Sequence, residues 1–246
     1  MQNVRRIGVT VLIVALAAST LWLLSPGAAE LSNAGPGVVA VACGVDTRRL
    51  AVALEREVAN GARAIISFGI AGALDPGGLP GTWIAGRAVV TATARWPCDA
   101  GWTQMLLRRA PGARFAELAG VDATLCLPVD KRALHDATGA MAVDTESHVA
   151  AAVAAAHRLP FAAFRVVADG VDQPLPAAAS IALGRRGEVR YAAIAASLAR
   201  TPGQLPALLR TAVSARTAFA ALSRGRRLLG LRLGYGNLRE LDVDVA

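Results

Sequence analysis

The 246-residue sequence is short of aromatic side chains, of lysine and of cysteine, and each shortage narrows what the chain can be. Phe, Trp and Tyr together make up only 4% of it. A groove for single-stranded nucleic acid needs aromatic platforms interleaved with a basic stripe, and no such pattern is present. The core must be built from small aliphatic side chains instead. Lys131 is the only lysine, so almost all of the 26 basic residues are arginine. An Arg- and Ala-heavy chain reflects a GC-rich genome, so the net charge of +8 and the pI near 10.8 read as a solvated basic surface. No nucleic-acid partner is expected. Cys43, Cys98 and Cys126 are scattered, without a CxxC pair or metal-ligand spacing. That argues against a disulfide framework and against a structural metal, and it favours a reducing compartment.

Hydrophobic residues reach 54%, above the ~45–50% usual in soluble domains. Part of the excess lies in Ile7 to Leu24, which carries no charge, follows Arg5 and Arg6, and runs into Ser25-Pro26-Gly27-Ala28-Ala29. Three readings of residues 1–30 stand open: a cleavable signal, an anchor approaching the ~20 residues that span a bilayer, or a start upstream of the true one. A signal or anchor would send the following domain outside, which conflicts with the cysteine usage. The expectation is therefore a cytoplasmic protein associated with the inner membrane, with an anchored or exported protein as the alternative.

From residue 36 to 246 the chain alternates strand-like and helix-like segments, as one domain with an Arg-rich helical tail from about 204. Residues 30–37 read as a linker. Gly37–Cys43 is a continuous apolar run, as expected of a parallel strand buried on both faces. Asp46 can cap a helix that ends at Gly61. Further strands are expected at Ala64–Phe68, Arg87–Thr93, Leu125–Pro128 and Pro160–Ala168. Helices are expected from Asp130 to near Gly139, over Glu146–His157, and from Ala177 onward with breaks at Gly184, Pro202-Gly203 and Gly225. Alternating strands and helices predict a three-layer α/β/α fold around a mixed, mostly parallel sheet, in which ligands sit at the strands' C-terminal ends.

Three strand ends carry chemistry. Ser67 to Pro76 holds glycines at 69 and 72 directly after a buried run, where positive φ and close backbone approach to a ligand are open to them. It lacks the GxGxxG spacing and the Gly-Lys-Ser/Thr of a phosphate loop. Ala142-Val143-Asp144-Thr145-Glu146-Ser147-His148 places two carboxylates where a strand enters a helix; one can cap the helix while the other faces a cleft and accepts hydrogen bonds from vicinal ribose hydroxyls. The i, i+2 spacing of Asp144, Glu146 and His148 scatters them around a helix, against a metal site. Arg165 to Asp172 ends a buried strand in Asp169-Gly170. Desolvation there raises an Asp pKa towards the range of a general acid. Taken singly, each segment also fits a plain turn or cap.

The order SxGxAGxLxP (67–76), AVxxE (142–146) and RxxAD (165–169) resembles the purine nucleoside phosphorylase and uridine phosphorylase superfamily, which includes the methylthioadenosine/S-adenosylhomocysteine nucleosidases. Within it, AVDxES-H at 142–148, LPFAAFRVVAD at 159–169 and the tail beginning TPGQLPAL at 201 are most similar to the hopanoid-associated enzymes, which remove adenine from adenosylhopane. The resemblance implies cleavage of a purine N-glycosidic bond by phosphorolysis or hydrolysis, possible on a lipid-linked nucleoside at a membrane surface, by a homo-oligomer. It gives Asp169 the role of protonating purine N7. Glu146 would hold the ribose hydroxyls, with Thr145 beside it, and the backbone of Ile70, Ala71 and Gly72 would line the pocket. No cofactor is implied beyond inorganic phosphate as a co-substrate, for which Gly44 and Arg48 form a candidate GxxxR turn. The chain departs from the family in four places. No Glu follows the first strand read from the sequence. Ser67 replaces an Arg, Thr145 a Met, and Gly170-Val171 a Pro-Ala. A non-catalytic nucleoside- or lipid-binding protein that kept the fold is the alternative.

Overall fold

Continuous apolar runs need covering on both faces, and the computed structural model provides this with helices on either side of one sheet. It describes residues 10–15, 31–35, 37–41, 43, 46–180, 191–230 and 232–235. Its strands are β1 (Thr10–Ala15), β2 (Leu31–Gly35), β3 (Val38–Val41), β4 (Ala62–Ala73), β5 (Trp83–Val90), β6 (Arg95–Pro97), β7 (Arg114–Gly120), β8 (Ala142–Asp144) and β9 (Phe161–Asp169). Its helices are α1 (Thr47–Ala59), α2 (Ala100–Arg109), α3 (Pro128–Thr138), α4 (Ser147–Ala156), α5 (Ala177–Ser180), α6 (Tyr191–Arg200) and α7 (Leu205–Leu229). The sheet order is β2-β3-β1-β4-β8-β7-β5-β6. Strand β9 pairs with both β4 and β5, so β4, β8, β7, β5 and β9 close into a ring. Pairings β1–β3, β1–β4, β4–β9, β5–β7 and β7–β8 are parallel; β2–β3, β4–β8, β5–β6 and β5–β9 are antiparallel.

The period-2 alternation of a strand divides the core. Ala64, Ile66 and Phe68 of β4 pack towards Trp102 and Leu106 of α2 and Ala218 and Leu222 of α7. Ile65, Ala71 and Ala73 of the same strand pack towards Leu50 and Leu54 of α1 and Ala150 and Ala151 of α4. The few aromatics are concentrated on the first face. Trp83 stacks on Phe164 with ring centroids 4.1 Å apart and meets Phe68 at 5.8 Å. Each such pair adds about 0.5–1.5 kcal/mol beyond its area burial.

Several elements differ from the sequence reading. Thr10–Ala15, inside the apolar stretch expected to stand apart from the domain, is an internal strand between β3 and β4; a parallel strand flanked on both sides is as apolar as a membrane segment. Among the described residues no helix is long and apolar enough to cross a membrane. The linker at 30–37 supplies β2, which pairs antiparallel with β3 across a turn at Gly37, φ 74°. Leu125–Pro128 is not a strand: Pro128 opens α3, whose N-cap is Leu127, and Asp130 sits in the first turn without capping. The strand of that region is β7, half exposed and carrying Arg114 and Glu117, which hid it. Gly225 does not break α7. A Cβ there would lie 2.2 Å from Trp83 Cζ2, so the glycine lets the helix seat on the indole. The break expected at Gly184 lies outside the described residues.

Candidate active site

Strand β4 runs unbroken through its glycine-rich end to Ala73. Neither Gly69 nor Gly72 has a positive φ. What glycine at 72 supplies is space beside Asp169. In register, Gly72 pairs with Asp169 on β9 and with Val143 on β8, so both neighbours bring a chemistry-bearing strand end to the same point. A Cβ at 72 would sit 3.2 Å from Asp169 Oδ2 and 3.5 Å from Oδ1. With neighbouring strands ~4.8 Å apart, the backbones at Asp169 and Val143 flank Gly72 across roughly 10 Å.

Asp169 is buried at the last residue of β9, and desolvation pushes its carboxyl above the usual range. The opposing influence is Lys131, whose Nζ donates to Asp169 Oδ2. Lys131 is 1% exposed and also donates to the carbonyls of Gly170 (2.9 Å) and Gln173 (3.3 Å). Beyond Asp169 opens a cleft of about 440 Å³ between residues 76–79 and 170–174, bordered by Arg210 of α7.

On the other side of Gly72, Asp144 ends β8 and binds the N-terminus of α4. Its Oδ1 accepts the backbone N–H of Glu146 (2.8 Å) and Ser147 (2.6 Å), and its Oδ2 the Ser147 hydroxyl (2.6 Å). Of the two carboxylates it is thus Asp144 whose side chain satisfies the N–H groups at the start of α4, although the N-cap position itself is Glu146. Glu146 is buried; its Oε1 accepts from Thr145 Oγ1, and its Oε2 has no hydrogen-bond partner. Burial first, then the nearby Asp144 charge, pushes the Glu146 carboxyl up to about 8 against the pull of Arg165 and of the bonds from Thr145.

Arg165, fully buried on β9, joins the two sides. Its Nη2 donates to Asp144 Oδ1 (3.1 Å), Ser147 Oγ (3.0 Å) and Ser67 Oγ, its Nη1 to the Ile70 carbonyl (3.3 Å), and it lies 3.8 Å from Glu146 Oε2. Ser67 and Ser147 are 2.9 Å apart, so the residue standing where some phosphorylases have Arg belongs to this buried network.

The strand ends therefore gather Gly72, Thr145, Glu146 and Asp169. Ile70 contributes its carbonyl to Arg165, and Ala71 is buried against α1 and α4. Arg48 is exposed on the first turn of α1, with no bond to Glu146 or Asp169, and Gly44 lies outside the described residues. That turn follows β3, the third strand of the chain, so the segment inspected for a water-activating Glu is not the one after the first strand. His148 Nε2 contacts Asp122 at 3.2 Å, away from Asp144 and Glu146, and no metal-holding group of three His, Cys, Asp or Glu occurs among the described residues. Sequence reasoning missed Lys131 and the hub role of Arg165; the one available signal was that Lys131 is the sole lysine.

Solved structures share this fold. The 5′-methylthioadenosine/S-adenosylhomocysteine nucleosidase of Neisseria meningitidis, solved with methylthio-immucillin-A, is 16% identical with a TM-score of 0.66, over 92% of this chain and 99% of that one. The corresponding nucleosidase of S. pneumoniae is 16% identical with a TM-score of 0.58, over 66% and 86%. Futalosine hydrolase of Helicobacter pylori is 13% identical with a TM-score of 0.55, over 66% and 89%. No relative is found among curated proteins. The sequence pattern of the phosphorylase superfamily matches residues 27–200, well over half the chain, and the chain belongs to that superfamily.

Proposed function

We propose that this chain cleaves the N-glycosidic bond of a purine nucleoside, with Asp169 protonating the base and Glu146 binding the ribose. The observation that carries the reading is the pair of buried carboxyls at the strand ends that meet at Gly72, Asp169 and Glu146, the second with an oxygen, Oε2, that accepts no hydrogen bond and lies 3.8 Å from Arg165. A buried acceptor in that state is costly unless a ligand supplies donors, and vicinal ribose hydroxyls do. The C1′–N9 electron pair leaves with the base while a proton from Asp169 goes to N7, which makes the base a better leaving group. The ribosyl carbon, left with oxocarbenium character, is stabilised by Glu146 in its ionised form and captured by water or inorganic phosphate.

Adenine release from adenosine and methylthioadenosine, measured with and without phosphate, tests the reading and separates hydrolysis from phosphorolysis. Asp169→Asn is expected to lose about 10²–10⁴-fold, the usual share of general acid catalysis. Activity within a few-fold of wild type removes Asp169 from the mechanism. Nucleoside binding without release by the wild type supports instead a binding protein that kept the fold. A lipid-linked nucleoside is the finer form of the proposal. It is supported by Leu205, Leu209 and Val213, exposed four residues apart along α7 beside Arg210 and Arg216. The same assay with an apolar 5′ substituent on the ribose checks it: a lower KM than adenosine is expected, and no gain refutes it.

A further inference from the structure

Lys131 is the chain's only lysine and one of its most deeply buried side chains. An ammonium taken out of water must be compensated at close range, so its partners define its role. Standing in the first turn of α3, it directs all three of its hydrogen bonds at residues 169–173: to Asp169 Oδ2 and to the carbonyls of Gly170 and Gln173. One cation thereby ties the acid to the turn that follows it. Gln173 is fastened on its other side by Thr211 and Ser214 of α7. The remaining charged groups around the strand end are engaged elsewhere or exposed. Arg132 of α3 pairs with Asp172, both exposed. Arg165 of β9 pairs with Asp144 of β8 and faces Glu146. Arg210 of α7 borders the cleft and is exposed.

We propose that Lys131 is a positioning residue for Asp169, holding Oδ2 and the 170–173 turn so that Oδ1 is left for the substrate. The inference rests on Asp169 being the proton donor. Its charge has a second consequence. Burial drives the Asp169 carboxyl towards its neutral form, and Lys131 is the group that opposes this. Lys131 therefore governs the pH at which the acid loses its proton and the reaction its donor.

Activity should fall as pH rises past the titration of Asp169. In Lys131→Met the opposing charge is gone, so that falling limb should move upward by about 1–3 pH units, the effect of one opposite charge at contact distance. Lys131→Arg, which keeps the charge, should leave the limb near its wild-type position. If folded Lys131→Met keeps the wild-type limb while Asp169→Asn is inactive, the positioning role is overturned and the acid assignment stands. An active Asp169→Asn overturns the acid assignment itself. Because there is a single lysine, 15Nζ labelling of the wild type gives one ammonium signal, which serves should Lys131→Met fail to fold. That signal should shift with an inflection at the pH of the kinetic limb and lose the inflection in Asp169→Asn. An inflection absent from the wild type, or far from the limb, overturns the proposal.

Discussion

Replacing Glu146 by Gln should make the protein more stable at pH 8 and less active on ribosides. In the fold the Glu146 carboxyl is pushed from an ordinary 4.5 up to about 8, burial being the main cause. Between those pH values the folded state holds a proton that the unfolded chain has released. Stability from this group is thus fully present below about 4.5 and is lost as pH rises through 8. The slope cannot exceed about 1.4 kcal/mol per pH unit, so the loss across the window is a few kcal/mol at most. Gln is a permanent imitation of the neutral form. It keeps an acceptor for the Thr145 hydroxyl and the volume of Glu, and it removes the titration. Urea unfolding at pH 5, 6, 7 and 8 should therefore give nearly equal stabilities at pH 5, with the variant pulling ahead as pH rises. Asp169 titrates in both proteins, so the difference isolates Glu146. Assayed above pH 8, where the wild-type carboxyl is ionised, the variant should lose about 1.5–3 kcal/mol of transition-state binding on ribosides, the worth of a charged hydrogen bond, and much less on 2′-deoxyribosides. Parallel pH–stability curves would refute the burial argument, and equal losses on both sugars would refute the clamp.

Two other substitutions test the packing around the site. Arg165→Met leaves Asp144 as a buried, uncompensated charge and should cost about 3–5 kcal/mol in denaturant unfolding, with Asp144→Asn in the same chain restoring part of it; a loss under 1 kcal/mol would mean the network is not a strut. Gly225→Ala sets helix propensity, worth about 1 kcal/mol in favour, against a methyl 2.2 Å from the Trp83 ring. Overpacking of ~1–3 kcal/mol should win, lowering Tm, and a higher Tm would show that α7 and Trp83 separate easily.

Fold class was legible because it rests on local patterns. The runs at 37–43 and 160–168 are apolar in the way doubly covered parallel strands must be; β3 lies inside the first, and β9 runs along the second and ends one residue beyond it, at Asp169. The misread elements share one cause, a local pattern with two physical origins. A charge-free stretch suits a bilayer and also an internal strand, and only pairing with β3 and β4 decides for Thr10–Ala15. Gly225 in a helix suggests a break until an indole is found resting against it. At Gly72 the residue type was informative for the wrong reason: what glycine supplies is room for Asp169 rather than a special φ.

The candidate site was legible as residue types at strand ends and illegible as charge compensation, because compensation acts across long sequence separations. Asp169 meets a cation 38 residues away, and Asp144 one 21 residues away. The two carboxyls flanking Gly72 consequently differ in kind. Asp169 has an ammonium of its own at bonding distance, whereas Glu146 shares with Asp144 a guanidinium that lies 3.8 Å off. In a low-dielectric site a contact charge outweighs one slightly more distant and already neutralised by another anion. Burial raises both carboxyls, and each is opposed differently, Asp169 by a contact ammonium and Glu146 by a shared guanidinium and the bonds from Thr145; this difference in compensation, more than the presence of two acids, is what distinguishes the two groups.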